Sequence, residues 1–172
     1  EVLMDVFQIY GCTKKGQKEK QKKPEYEKRN GVIGKVRKFD SDLHEKYDVE
    51  ARHVIKKILG DHVYDNENVY GEDMIFADKT MPYKYLELQV FSKWSTDVFP
   101  YTYPFVYARK MKFSDKTLFL TFNKYFSELI MFGKKSISKT PSRLKKYDRE
   151  CVNFVNWGRV IKLKTTELNI NV

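Results

Sequence analysis

Apolar side chains recur at intervals of three and four between residues 41 and 59, the spacing that gathers them on one face of an α-helix. Asp40, Ser41 and Asp42 can cap the first turn, and Gly60 favours the end of the helix. The pattern therefore predicts an amphipathic helix over residues 41–59. Its apolar stripe consists of Leu43, Tyr47, Ala51, Val54, Ile55, Ile58 and Leu59.

Short segments rich in β-branched and aromatic residues predict a β-sheet after this helix. Residues 69–77 and 83–91 are joined by a short polar connection, which favours an antiparallel hairpin. Residues 117–122 are continuously apolar, as in a strand covered on both faces, and residues 105–112 predict a short helix. Further strands are predicted at 62–64, 129–132, 152–163 and 168–172. This order of elements is typical of an α/β (α+β) fold with a central mixed β-sheet flanked by helices.

Charge is distributed unevenly along the chain, which carries 33 Lys and Arg against 23 Asp and Glu, a net charge of +10. Residues 14–38 carry a local +8 and residues 134–149 a local +6, whereas residues 39–98 carry −6. This distribution favours a polyanionic partner and a cation bound near the carboxylates. Solvated surface lysines are the alternative explanation of each basic run. Residues 12–24 lack apolar periodicity and predict a mobile basic arm.

Several functional classes do not fit the composition and motifs. The chain is 41% apolar, which supports a core, but it has no run of 18 apolar residues, so no membrane partner is predicted. Cys12 and Cys151 are too few for a disulfide scaffold and indicate a reducing compartment. The chain also lacks a glycine-rich phosphate loop and a nucleophile elbow, which argues against nucleotide-driven motors and acyl transfer.

Two acidic residues stand out in the predicted hairpin. Side chains alternate along a strand, so Glu87 and Gln89 share one face of 83–91 and Leu88 belongs to the opposite, core-facing side. Asp73 lies at the start of the apolar part of the preceding strand. Pairing of the two strands would therefore bring Asp73 and Glu87 together at one end of the hairpin.

Adjacent carboxylates repel each other unless they share a proton or bind a metal ion. Because the segment offers carboxylates without Cys or paired His ligands, the pattern favours Mg²⁺, with Mn²⁺ as a substitute, over zinc. Glu50 lies at the edge of the apolar stripe of the helix and is the candidate third carboxylate. Ion pairing of these acids with surface Lys or Arg is the alternative.

The succession of Glu50, Asp73 and Glu87-Leu88-Gln89 resembles the PD-(D/E)XK nuclease superfamily, which has the restriction-endonuclease-like fold. The intervals of 23, 14 and 2 residues are most similar to those of archaeal-type Holliday-junction resolvases. The resemblance covers residues 41–132 and implies an α-β-β-β-α-β core. The predicted organisation is an N-terminal segment with the basic arm at 1–39, followed by a single nuclease-like domain at 40–172. In this domain the core is followed by the basic segment at 134–149 and by C-terminal strands at 152–172.

The resemblance also implies residue roles. Asp73, Glu87 and the carbonyl of Leu88 would ligate Mg²⁺, and Glu50 would hold a second ion or a water. The sequence departs from the motif at Glu72, which replaces the proline, and at Gln89, which replaces the lysine that orients or activates the attacking water. An amide can orient water but carries no charge. Lys93 is a candidate migrated lysine, because it lies on the Glu87 face if the strand continues that far.

The predicted function is a Mg²⁺-dependent endonuclease that hydrolyses DNA phosphodiester bonds, with structure selectivity as an option. A non-catalytic nucleic-acid-binding module with the same fold is the alternative, RNA is an alternative partner, and a homodimer is left open. The predicted location is intracellular, in the nucleus or cytoplasm, which is the host cell if the protein is viral or from a mobile element. The candidate nucleic-acid-binding residues are Lys14, Lys15, Lys18, Lys20, Lys22, Lys23, Arg109, Lys110, Lys134, Lys135, Arg143, Lys145 and Lys146.

Overall fold

The computed structural model of the chain describes residues 9–11, 26–29, 32–35, 44–144 and 151–168. The predicted basic arm at 12–24 therefore lies outside the described residues. The strands are β1 (Ile9–Gly11), β2 (Tyr26–Arg29), β3 (Val32–Lys35), β4 (Val63–Asp65), β5 (Met74–Phe76), β6 (Tyr85–Phe91), β7 (Phe105–Tyr107), β8 (Thr117–Asn123), β9 (Glu128–Gly133), β10 (Ser142–Leu144), β11 (Cys151–Phe154) and β12 (Ile161–Lys164). Short 3₁₀ helices span Gly60–His62, Ala108–Lys112, Lys134–Ser136, Trp157–Arg159 and Thr165–Glu167.

The predicted amphipathic helix is confirmed over its described part. A π-helical segment, His44–Val49, leads into the α-helix α1, Glu50–Leu59. Ala51, Ile55 and Leu59 are buried at a spacing of four residues. Gly60 ends the helix with φ of +53°, a left-handed conformation that glycine adopts at little cost.

The chain divides into two compact units. The first contains Glu1–Phe39, Tyr101–Lys112 and Ile137–Trp157, and the second contains Asp40–Pro100, Phe113–Ser136 and Gly158–Val172. The sequence predicts an N-terminal segment at residues 1–39 and one domain over residues 40–172.

The second unit is built on a mixed six-stranded sheet in the order β12-β9-β8-β6-β5-β4. Strands β5 and β6 form the predicted antiparallel hairpin, with Met74 opposite Leu86. Strands β6 and β8 are parallel, and their connection runs through residues 92–116. The sheet and its helix agree with the predicted α/β (α+β) class and its central mixed sheet. All seven residues of β8 are buried, as expected for a strand covered on both faces.

The core of the second unit lies between α1 and one face of this sheet. Ala51 and Ile55 of the helix are fully buried and belong to one cluster with Met74, Leu86 and Leu120. This packing fixes the helix against the hairpin that carries the two acidic residues. The position of each side chain on α1 relative to β5 and β6 is therefore set by the core.

The first unit contains a separate antiparallel sheet in the order β1-β10-β11-β7, and β2 pairs with β3 in a two-stranded hairpin. Cys151 of β11 is disulfide-bonded, and Cys12, the other cysteine of the chain, lies outside the described residues.

Three predicted elements differ from the structure. The predicted helix at 105–112 is instead β7 followed by a 3₁₀ turn, because Phe105–Tyr107 pair with β11. The described chain between β6 and β8 therefore lacks the α-helix that the family core would have there, and the restriction-endonuclease-like core is not confirmed. The predicted strand at 152–163 is two strands, separated by the 3₁₀ turn Trp157–Arg159.

The predicted strand at 69–77 is shortened to β5, because a turn takes its first half. Asn68 N–H donates to Asn66 Oδ1 at 3.1 Å, and Tyr70 N–H donates to Asn68 Oδ1 at 3.2 Å. Such side-chain bonds to the backbone compete with strand pairing. A Cβ on Gly71 would lie 2.9 Å from Asn66 Nδ2 and 3.2 Å from the Asn68 carbonyl oxygen, so a larger residue would require the turn to shift. Among the described residues, no helix has the length and apolar character needed to cross a membrane.

Candidate functional site

The hairpin brings Asp73 and Glu87 together, as the strand pairing predicts. Asp73 N–H donates to Glu87 Oε2 at 3.2 Å, and Leu88 N–H donates to Asp73 Oδ2 at 2.9 Å. The two residues are adjacent because Asp73 directly precedes β5 and its neighbour Met74 pairs with Leu86. The structure therefore contains an acid pair, Asp73 and Glu87, at one end of the hairpin.

Glu87 is the more buried member of the acid pair, with 4% of its surface exposed. Burial of a carboxylate is costly unless hydrogen bonds or a cation compensate for the lost hydration. The N–H of Asp73 supplies one such bond. A second carboxylate beside it adds repulsion, so the pair requires a positive charge nearby or a shared proton.

Arg52 of α1 supplies a positive charge to the acid pair. Its Nη2 donates to Asp73 Oδ1 at 2.6 Å, and its Nη1 donates to the Asp73 carbonyl at 3.3 Å. Nη1 also lies 3.7 Å from Asp65 Oδ1 of β4. Arg52 was not predicted from the sequence. The available signal was a basic side chain next to buried Ala51, on a helix predicted to pack against the hairpin.

Glu50 does not join the acid pair. It is exposed at the start of α1, and an α-helix turns by about 100° per residue, so Glu50 and Arg52 point to nearly opposite sides. Since Arg52 faces Asp73, Glu50 faces away from it. Within the described part of the chain, no three His, Cys, Asp or Glu side chains form a group that could hold a metal ion. The predicted cluster of three carboxylates is therefore reduced to two.

Gln89 lies on the Glu87 side of β6 and is buried. Its Nε2 donates to Thr121 Oγ1 at 2.9 Å, across the parallel pair in which these two residues are opposite each other. The Gln89 amide is therefore held in place two residues from Glu87. Lys93 does not reach this position, because β6 ends at Phe91 and a turn follows, in which Trp94 N–H donates to Phe91 O at 2.9 Å.

Glu72 is a buried acid whose carboxylate bonds outside the acid pair. Its Oε1 accepts hydrogen bonds from Ser114 N–H and Thr117 Oγ1, each at 2.9 Å. These bonds connect the segment just before β5 to the start of β8. We therefore assign Glu72 to the fold rather than to the chemistry of the site.

The predicted nucleic-acid-binding residues are divided between the two units, and several of them lie outside the described residues. Lys134 is largely buried, donates to Phe113 O and lies 3.4 Å from Asp115, so it holds the structure together locally. Lys135 is exposed in the same unit. Arg109, Lys110 and Arg143 belong to the first unit, where the Arg109 guanidinium lies 4.4 Å from the ring centre of Tyr107. The remaining candidates lie outside the described residues: Lys14, Lys15, Lys18, Lys20, Lys22, Lys23, Lys145 and Lys146.

Comparisons of the chain with protein-family models, with curated proteins and with solved structures found no match. The acid pair, its cation and the sheet that carries them are therefore the basis for a functional proposal.

Proposed function

We propose that this protein is a metal-dependent endonuclease that hydrolyses DNA phosphodiester bonds. The observation that carries the proposal is the contact between Asp73 and Glu87 at the end of the hairpin. The two carboxylates lie on a hairpin of a mixed sheet, and the next strand of that sheet, β8, is parallel to β6. This arrangement also fits the PD-(D/E)XK resemblance. The restriction-endonuclease-like core belongs to this proposal as well, with β7 and a 3₁₀ turn in place of the α-helix that the family core has between these strands.

The acid pair suits Mg²⁺ or Mn²⁺. Magnesium is commonly held by one or two carboxylates, while waters and substrate phosphate complete its shell. Asp73 and Glu87 would supply those carboxylates, and the carbonyl of Leu88 is the third candidate ligand. A bound Mg²⁺ would stabilise charge on the scissile phosphate and lower the pKa of an attacking water.

The protein's own side chains would bind and orient the reactants. Gln89, held by Thr121, would orient the attacking water through its amide, since it carries no charge with which to activate it. Arg52 would balance the charge of the acid pair before the metal ion binds. Exposed basic residues such as Lys135 would hold the phosphate backbone.

Nicking of DNA by the purified full chain tests this proposal. Supercoiled plasmid and a four-way junction are incubated with Mg²⁺, with Mn²⁺ and with EDTA, and the products are separated by electrophoresis. We expect cleavage in both metals and none in EDTA. Cleavage that persists in EDTA, or the absence of cleavage in either metal, would contradict the proposal.

A non-catalytic nucleic-acid-binding module is the second candidate. It is favoured by the ion pair between Arg52 and Asp73 and by the loss of the motif lysine at Gln89, because both reduce the capacity of the site for metal-assisted hydrolysis. This module would bind DNA with similar affinity in Mg²⁺ and EDTA and cleave it in neither.

Replacing Gln89 by lysine tests the role of the amide. We expect Gln89→Lys to cleave at least as fast as the wild type under single-turnover conditions, because a cation beside Glu87 can assist activation of the water. Gln89→Ala, which removes the amide, should be slower. A folded but inactive Gln89→Lys variant would contradict this and would indicate that catalysis depends on the amide geometry set by Thr121.

A further inference from the structure

We propose that Arg52 is a positioning residue that holds Asp73 in the metal-free protein and competes with a divalent cation for it. This inference rests on the proposed metal-dependent function. Its starting point is that both carboxylate oxygens of Asp73 are hydrogen-bonded. Oδ2 accepts from Leu88 N–H, and Oδ1 accepts from Arg52.

The two donors to Asp73 differ in how easily they can move. Leu88 N–H belongs to the backbone of β6, a central strand paired on both sides, so it stays in place. Arg52 has a long side chain that is one-third exposed, on a helix anchored by the buried residues Ala51 and Ile55. A cation that binds Asp73 would therefore displace the guanidinium rather than the backbone N–H.

The competition arises because the Arg52 guanidinium and the metal ion are both positively charged. A guanidinium at 2.6 Å from Asp73 Oδ1 would lie within a few ångströms of a metal ion on the same carboxylate. Like charges at such distances repel strongly in a partly buried site. The free energy of this repulsion, or of moving Arg52 away, is subtracted from the affinity of the metal ion.

Asp65 is a second carboxylate with which the displaced Arg52 side chain can pair. It lies on β4, 3.7 Å from Arg52 Nη1, and it already pairs with Lys56 one helical turn after Arg52. Arg52 thus lies between two acids and can lose one contact without losing its charge compensation. Lys56 contacts Asp65 but has no contact with Asp73 among the described ion pairs, which makes it a matched control.

Calorimetric titration of the full chain with Mn²⁺ tests the competition. Arg52→Gln should bind Mn²⁺ about tenfold more tightly than the wild type, because it removes a positive charge beside Asp73. Arg52→Lys keeps the charge and should bind with nearly wild-type affinity. Lys56→Gln, which removes the same charge beside Asp65, should change the affinity much less than Arg52→Gln does.

Thermal unfolding gives an independent readout. Without metal, Arg52→Gln should unfold at a lower temperature than the wild type, since the acid pair loses its cation, and saturating Mn²⁺ should raise its Tm by more. Arg52→Met, whose side chain preserves the packing of the stem, serves if the glutamine variant does not fold. A purely structural role would lower the Tm without increasing metal affinity.

The outcomes separate this inference from the proposed function. If wild type and Arg52→Gln bind Mn²⁺ equally, Arg52 does not compete with the metal ion, and the nuclease proposal is unaffected. If neither the wild type nor the neutral variants bind Mn²⁺, the metal site and the competition both fail.

Discussion

Asp73→Asn and Glu87→Gln should each abolish cleavage and weaken Mg²⁺ binding by more than about 100-fold. Substituting residues that only support metal ligands already costs about 10- to 100-fold in affinity, so loss of a ligand charge should cost more. Glu87→Gln keeps an oxygen that can accept from Asp73 N–H. Asp73→Asn keeps one that can accept from Leu88 N–H, but an NH2 group replaces the oxygen that accepts from Arg52. Calorimetry with Mg²⁺ and single-turnover cleavage measure the two effects.

Glu72→Gln is the matched control for this prediction. Glu72 is a buried acid next to Asp73, but its carboxylate accepts from Ser114 and Thr117 at the start of β8. We expect this variant to keep metal binding and cleavage. Unchanged metal affinity in both Asp73→Asn and Glu87→Gln would show that the acid pair is not the metal site.

The acid pair was predictable from the sequence because it depends on local rules. Alternation along 83–91 places Glu87 and Gln89 on one side of the strand, and a short hairpin connection sets which strands pair. The contact between Asp73 and Glu87 follows from these two rules. The helix at 41–59 was predictable for the same reason, since its periodicity comes from one buried face.

The partners of the acid pair were not predictable in the same way. Whether Glu50 or Arg52 faces Asp73 depends on the rotation of α1 about its axis, which the core contacts of Ala51 and Ile55 determine. Both residues flank the apolar stripe, so the periodicity alone does not choose between them. The Gln89–Thr121 bond depends on the parallel register of β6 and β8, which are joined by a long connection.

The same dependence on contacts beyond local periodicity explains why some elements were predicted wrongly. The composition of residues 105–107 fits either a helix or a strand. They form a strand because they pair with β11, which lies more than 40 residues later in the chain. Residues 69–73 were predicted as strand from Val69 and Tyr70, yet the bonds made by Asn66 and Asn68 formed a turn. Long-range pairing and side-chain turns decided each case over local propensity.

Neutralising the basic arm should weaken DNA binding by orders of magnitude at moderate salt while leaving the chemistry intact. The arm carries six lysines between residues 14 and 23, which lie outside the described residues. Each phosphate contact releases counterions, so log affinity for duplex DNA falls with log salt by a slope of about −0.9 per neutralised phosphate. Replacing all six by glutamine should make that slope shallower by several units, if most of them contact phosphate.

A charge-matched variant distinguishes contact from overall charge. Six exposed lysines elsewhere are replaced by glutamine, which lowers the net charge equally: Lys46, Lys57, Lys79, Lys93, Lys112 and Lys116. Fluorescence anisotropy over a salt series should show the larger change of slope in the arm variant. The arm has no aromatic residue and no acid placed to join Asp73 and Glu87, so structure preference and single-turnover cleavage at low salt and saturating protein should be retained. Equal slopes in the two variants would show that the arm contributes only its charge, and an unchanged slope in the arm variant would show that the arm does not contact DNA.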